Sequence, residues 1–313
     1  MNYSNNSNRS SGNPENVLKA IEIIFSLMGL IGILTSIFNA IIFWNLRQKD
    51  QIYKFYLFSS LADSFYMLMI SSYVLFSCGN SCENLNAKEL YRHVYMIAID
   101  DYLSSCLAIY TILIELFITS QRYSMFTANS VLQSQRPNIV MLLTCAFSLV
   151  YYTPVLFLKK IVYLGNNEYN TEYTKFGLSE AGRVIPIVLS TIRLFIASIL
   201  LLVINIFTLV KFQKYLNKKK LFRFIDLTSK SQTREAKAKI NKEHKTRKHV
   251  TQMVIFVAFT YSTGTIPYAL YYGLSELFKS TNFLVDNVLS VIGRMGLRLM
   301  VIFKIVIFYN YNK

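Results

Sequence analysis

The sequence predicts an all-α integral membrane protein: a bundle of seven transmembrane helices with its N-terminus outside the cell and its C-terminus in the cytoplasm. Three observations carry this: an apolar composition, seven long apolar runs, and the placement of the basic residues. Of 313 residues, 53% are hydrophobic, 15% aromatic and only 16% charged, with a mean hydropathy of +0.35. That is too apolar for the two soluble domains such a length would otherwise imply. A bilayer's hydrocarbon layer takes about 20 residues of helix to cross. Runs of that kind fall at 18–46, 54–77, 93–120, 138–158, 183–212, 250–275 and 284–309.

The runs are read as helices because a chain in lipid must satisfy its own backbone hydrogen bonds, and they lack the alternation of barrel strands. The organisation expected is a polar extracellular tail, 1–17, followed by a transmembrane domain, 18–312. The 33 Lys and Arg exceed the 17 acids to give a net charge of +16. Many of them crowd the loop 217–247, between the fifth and sixth runs, from Lys218, Lys219 and Lys220 to Lys245 and Arg247. Arg47, Lys49 and Lys54 flank the first loop. Short cytoplasmic loops retain positive charge, so both loops are placed inside and the N-terminus outside. The basic excess is therefore a feature of the membrane surface, and binding of nucleic acid is not expected. The loop's Lys/Arg alternation with apolar residues suits extension of the flanking helices, anionic lipid or a protein partner.

An outside N-terminus makes the three Asn-x-Ser sites at Asn2, Asn5 and Asn8 candidates for N-glycosylation. No cleavable signal precedes them, so the first span is expected to act as its own uncleaved signal.

Polar residues inside the runs are the functional candidates, since an ionisable group at mid-membrane costs about 2.5–3.5 kcal/mol on insertion scales and normally faces a partner within the bundle. They are Asn39 in "ILTSIFNAIIFW", Asp63 in "LFSSLADSFYML", Glu115 in "ELFITSQRYSMF" and Lys304 in "IFKIVIFYNYN", while Arg122 in the same third segment stands at its cytoplasmic end, where an ordinary interface anchor is the alternative reading. Pro267, in "TGTIPYALYY", removes a backbone hydrogen bond from the sixth run and kinks it.

In order and spacing these residues resemble the rhodopsin-like family of G-protein-coupled receptors, across nearly the whole chain. Asn39 matches the family's asparagine of the first span. Leu61, Ala62 and Asp63 match its second-span motif, Arg122 and Tyr123 its Asp-Arg-Tyr motif, and Pro267 its sixth-span proline. The resemblance implies a receptor in the plasma membrane, with an extracellular ligand, peptide-like or chemosensory, and a heterotrimeric G protein as partners. It also implies that Gln121, Arg122 and Tyr123 form the coupling end.

Several positions depart from the family. Gln121 replaces the acid beside the arginine, and Thr246, Arg247 and Lys248 stand where a second acid is common, so the inactive state is expected to be held weakly or by packing. Gly264 and Thr265 replace the residues that normally precede the proline. Lys304 stands at the seventh-span asparagine position, where its ammonium is expected to pair with Asp63 or Glu115, or to be met by backbone carbonyls and water. Ser104 falls where amine receptors carry an aspartate, which disfavours a monoamine ligand. Arg298 falls near the retinal lysine of opsins and cannot form a Schiff base.

Asp100, Asp101, Ser104, Arg294 and Arg298, with Arg193, outline a polar ligand pocket of mixed charge, or alternatively a set of Arg–Asp pairs that tie helices together. Cys78 and Cys82 lie outside, where a disulfide between them is allowed. No cysteine lies between the fourth and fifth spans, so the family's bridge to that loop cannot form. Cys106 and Cys145 read as buried packing residues. The chain stops at Lys313, which leaves no room for an amphipathic eighth helix in a complete receptor. His93, His244 and His249 have no metal-ligand spacing, and no phosphate-binding glycine motif occurs; neither an enzyme, nor a cofactor, nor a metal is expected. The competing reading is a seven-helix transporter or channel, or a membrane protein that does not couple. The lack of an internal repeat, of broken half-helices and of acidic pore rings weighs against the transporter and the channel.

Overall fold

In the computed structural model, the described residues are 14–46, 51–76, 90–127, 135–165, 168–227, 260, 295–296, 298–299 and 301–303. In chain order they form α1 (Pro14–Leu46), α2 (Ile52–Phe76), α3 (Leu90–Val94), a π-helical segment (Tyr95–Leu103) and α4 (Ser104–Thr127). Then come α5 (Pro137–Leu156), strands β1 (Lys159–Gly165) and β2 (Glu168–Tyr173), α6 (Lys175–Leu178), α7 (Glu180–Thr191), a second π-helical segment (Ile192–Ile196) and α8 (Ala197–Leu227).

Local chemistry sets several of these boundaries. Pro14 and Pro137 each open a helix, where a missing N–H costs nothing and the fixed φ suits the first turn. Ser179 caps α7, its hydroxyl accepting the Gly182 N–H, and Glu180 adds a negative charge to the first turn. Thr174 caps α6 in the same way through Gly177.

The first five apolar runs are thus helical, within a few residues of the expected limits. The fifth continues as helix into the expected loop as far as Leu227. By length and composition, Ile23–Leu46, Leu90–Ser124 and Pro137–Leu156 are the helices able to cross a membrane among the described residues. The second run is diluted by Ser59, Ser60, Asp63, Ser71 and Ser72. The sixth and seventh runs lie outside the described residues except for Thr260, 295–296, 298–299 and 301–303. Pro267, Arg294, Lys304, Cys78, Cys82, Asn2, Asn5 and Asn8 also lie outside them.

The hairpin was not anticipated. β1 and β2 pair antiparallel from Lys159 opposite Tyr173 to Tyr163 opposite Tyr169, with an irregularity before Gly165. Gly165 has φ +99°, a conformation that only a residue without Cβ adopts freely.

Packing starts at the α1–α2 seam. Gly29 lies directly against Ser71, and Gly32 lies so close to Met67 that a Cβ would stand 3.1 Å from its sulfur. Phe43 stacks on Tyr56 about 20 Å further along, so the two helices run antiparallel in close contact. Small residues permit this approach where lipid supplies no hydrophobic drive between helices. α4 packs against α2, α5 and α8. It is buried on several sides, through Ile109, Tyr110, Ile112, Ile114, Glu115, Ile118 and Thr119. α8 faces the interior with Ala197, Leu201, Asn205, Thr208 and Phe212, a helical stripe, and turns Ile199, Leu202, Ile206 and Phe207 outward. Exposed apolar faces of this kind suit lipid, not water. Near the C-terminal end, Val301 joins the same core as Ala40, Phe43 and Ile114, and the Arg298 guanidinium lies 4.2 Å from the Phe25 ring of α1.

The seam yields a direct test. Gly29→Leu forces a branched side chain into Ser71, and overpacking of this sort costs about 1–3 kcal/mol, more than the helix-propensity gain of about 1 kcal/mol on replacing glycine. Purified in detergent, the variant is expected to unfold at a lower temperature and to yield less folded protein. An unchanged midpoint would show that the helices do not approach this closely.

Candidate functional site

The polar residues of the described bundle fall at three levels, which can be followed along the continuous helix 90–127. At the hairpin end, the strand pleat turns Lys159, Ile161 and Thr171 toward the helix while Lys160 and Glu172 face away. Thr171 Oγ1 is 2.7 Å from His93 Nδ1, and Lys159 Nζ donates to Asp101 Oδ2 at 2.6 Å. The Lys159 and Asp101 side chains are 27% and 31% exposed, so the pair is only partly screened by solvent. Lys160 and Glu172 pair across the outer face at 3.6 Å. The Lys159–Asp101 ion pair and the His93–Thr171 hydrogen bond therefore tie the hairpin to the helix.

Asp100, Asp101 and Ser104 are all half-buried here, Ser104 donating its hydroxyl to the Asp100 carbonyl. The two aspartates sit in the π-helical segment, whose wider turn re-aims side chains relative to an α-helix. Arg193 is buried in the second π-helical segment, 5.7 Å from the Tyr152 ring. Tyr152 packs in turn on Cys106 and Ile109 of α4. Of the expected pocket residues, Asp101 is engaged by the hairpin and Arg298 lies over Phe25 of α1. Cys106 is buried as expected. Cys145 is not: it is exposed on α5, whose buried residues are Pro137, Met141, Ser148 and Tyr152.

The middle level holds Ser36, Asn39, Ser59, Asp63, Thr111 and Glu115, all buried. Asn39 Oδ1 and Ser59 Oγ have no hydrogen-bond partner among the described residues. Asp63 and Glu115 each stand about two turns, roughly 10 Å, from the contact between α2 and α4 described next. On α8, Asn205 adds a further buried amide.

At the opposite end from the hairpin, Arg122 donates a hydrogen bond to the Tyr56 hydroxyl. Its guanidinium carbon lies 5.4 Å from the centre of the same ring. Tyr56 is stacked on Phe43, with centroids 5.1 Å apart and planes at 21°, and Phe43 stacks on Tyr53 at 6.2 Å. Arg122 and Tyr123 are half-buried, Gln121 is buried, and Ser124 Oγ donates to the Gln121 carbonyl at 2.7 Å. Arg122 is thus met by an aromatic side chain of a neighbouring helix. A hydrogen bond from a charged donor contributes about 1.5–3 kcal/mol, and a partly desolvated cation–π contact about 0.5–2 kcal/mol.

Sequence reasoning missed Tyr56, His93, Thr171 and Lys159 as members of these levels. The hairpin had a signal: "KKIVYLG" and "EYNTEY" flank Asn166 and Asn167, two β-favouring runs around a turn-forming pair. Tyr56 had none, being one of 22 tyrosines.

No family model and no curated protein matches the chain.

The hairpin tie is testable by charge reversal. Asp101→Lys or Lys159→Asp alone is expected to lower the unfolding midpoint and speed proteolysis within 159–173. The double exchange is expected to recover most of both losses, with a coupling of about 1 kcal/mol as for partly exposed pairs. Additive losses in the double variant would rule out the pair.

Proposed function

We propose that the chain is a seven-helix receptor of the rhodopsin-like kind, in the plasma membrane with its N-terminus outside. In this reading it passes an extracellular signal to a heterotrimeric G protein by shifting an existing equilibrium between inactive and active helix arrangements. The hairpin end faces the ligand and the Arg122 end faces the cytoplasm. The observation that carries the reading is the sequence of polar levels along one bundle. Asn39 and Asp63 are buried in the α1–α2 pair, Glu115 is buried on α4, and Arg122 ends the same helix beside Tyr56.

Each level has a part in such a receptor. The hairpin, held by Lys159 and Thr171, covers the helix carrying Asp100, Asp101 and Ser104, where a ligand entering from outside would meet mixed charge. The buried polar middle gives the interior a network that has more than one way of being satisfied, a condition for two packed states. Arg122, always charged, supplies the cation that meets a partner once it leaves Tyr56. The helical extension to Leu227 starts beyond exposed Lys211 and Lys214 and suits a partner at the cytoplasmic surface. The ligand reading favours a peptide-like or chemosensory molecule over an amine, since Ser104 offers a hydroxyl and no charge.

The test is basal nucleotide exchange. The chain is co-expressed with a panel of G proteins, and Arg122→Ala is compared at equal surface expression. One or more partners are expected to exchange nucleotide above background with the unaltered chain, and Arg122→Ala is expected to remove at least nine-tenths of that signal, on the order of 1.4 kcal/mol of coupling. Exchange that survives the substitution, or none with any partner, would sink the receptor reading.

A further inference from the structure

We infer that Tyr56 is the positioning residue that holds Arg122 in the resting receptor, in place of the carboxylate that Gln121 does not supply. The inference rests on the receptor reading and assigns its resting-state restraint to an aromatic residue of a different helix.

The chemistry begins with the guanidinium. It does not lose its proton in a protein, so a half-buried Arg122 must be given acceptors or a π face. Tyr56 offers both from one side chain: its hydroxyl oxygen accepts from the Arg122 Nη2, and its ring lies 5.4 Å from Cζ. For that to restrain Arg122, the ring must itself be fixed. It is 5% exposed, and Phe43 of α1 stacks on it at 5.1 Å. Tyr53, one turn earlier in α2, stacks on the other partner of that pair, Phe43. Three rings from two helices thus set the position of one hydroxyl.

The contrast with a carboxylate defines what such a device does. An acid next to the arginine in sequence would hold it within α4, and the hold would be independent of how α4 sits on its neighbours. Tyr56 belongs to α2, so the hold exists only while α2 and α4 keep this register. A shift between these helices breaks the contact with Tyr56. The acceptor is also neutral, so its loss leaves no buried anion behind. Gln121 is buried beside the arginine, its backbone carbonyl accepting from Ser124 Oγ within the same helix end.

The experiment has one arm that does not depend on signalling. Purified chain in lipid nanodiscs is treated with phenylglyoxal, which modifies accessible guanidinium groups, and Arg122 modification is followed by peptide mass spectrometry with exposed Arg136 as the internal reference. Tyr56→Phe keeps the stack and most of the π contact but removes the acceptor. It is expected to raise the Arg122 rate at least threefold relative to Arg136. Phe43→Leu, which leaves the hydroxyl but removes the ring behind it, is expected to give a smaller rise and serves if Tyr56→Phe fails to fold. In the second arm, Tyr56→Phe raises basal nucleotide exchange above the unaltered chain, and adding Gln121→Asp brings it back toward the starting level. Unchanged labelling in both variants, with exchange still present, overturns the role of Tyr56 and leaves the receptor reading standing. Faster labelling without any exchange in any variant overturns the receptor reading, and with it the resting-state role.

Discussion

A helix surrounded by other helices has no water with which to settle its polar groups, and α4 is in that position. It touches α2, α5 and α8 and buries residues on several sides. Every buried polar side chain it carries must therefore be answered either by the helix itself or by a neighbour, and the second kind ties the registers of those neighbours to one another. Thr111, Glu115, Thr119 and Gln121 are buried along it. Thr111 and Ser124 return their hydroxyls to α4's own carbonyls, the local solution open to small hydroxyl side chains. A charged residue has no such solution. Arg122 reaches across to α2, and Asp101, just before α4, reaches out to the hairpin.

The α1–α2 seam makes the first of these reaches workable. Gly29 and Gly32 let α1 lie against Ser71 and Met67, and this close approach lets Phe43 stack directly on Tyr56. Larger residues in the seam would part the helices and loosen the ring that accepts from Arg122. A packing feature at the middle of α1 therefore bears on an electrostatic feature at its C-terminal end, through about 20 Å of helix. The aromatic residues of this chain act here as oriented acceptors and π faces as well as apolar bulk.

How much of this was legible in the sequence depended on the length scale of the signal. Runs of twenty or more apolar residues survive any local ambiguity, and the first five are helical close to their expected starts, three of them long and apolar enough to cross a membrane. Asn39, Asp63 and Glu115 were legible as interior residues because burial of an isolated polar group in such a run is costly. The hairpin was not, because two strands of seven and six residues are short against a search for long apolar runs. The partners of Arg122 were illegible for another reason. Gln121, standing beside Arg122 where the resemblance implies an acid, left the arginine's partner open, and which of many aromatic residues meets it depends on the register of α2 on α4. The ring that does so is backed by α1, whose approach at Gly29 and Gly32 is invisible until the facing helix is known. Cys145 shows the same limit: the apolar character of a residue in a membrane helix does not tell whether it faces protein or lipid.

The two reaches lie at opposite ends of one continuous helix, 90–127, and both are non-covalent. At one end Asp101 and His93 hold the hairpin through an ion pair and a hydrogen bond; at the other Arg122 is held by a phenol. A disulfide at the first end and a carboxylate at the second would each fix the helix more firmly. With the weaker contacts in their place, each end contributes a few kcal/mol at most. A two-state equilibrium moves only by the difference in contact energy between its states. In the proposed receptor, holds of this size would keep that difference within reach of a single ligand or partner, because a change of about 1.4 kcal/mol at either end is a tenfold change in population. Both contacts belong to the same helix, so in the proposed receptor a ligand that alters the seat of Asp101 and His93 would act on the body that carries Arg122 against Tyr56.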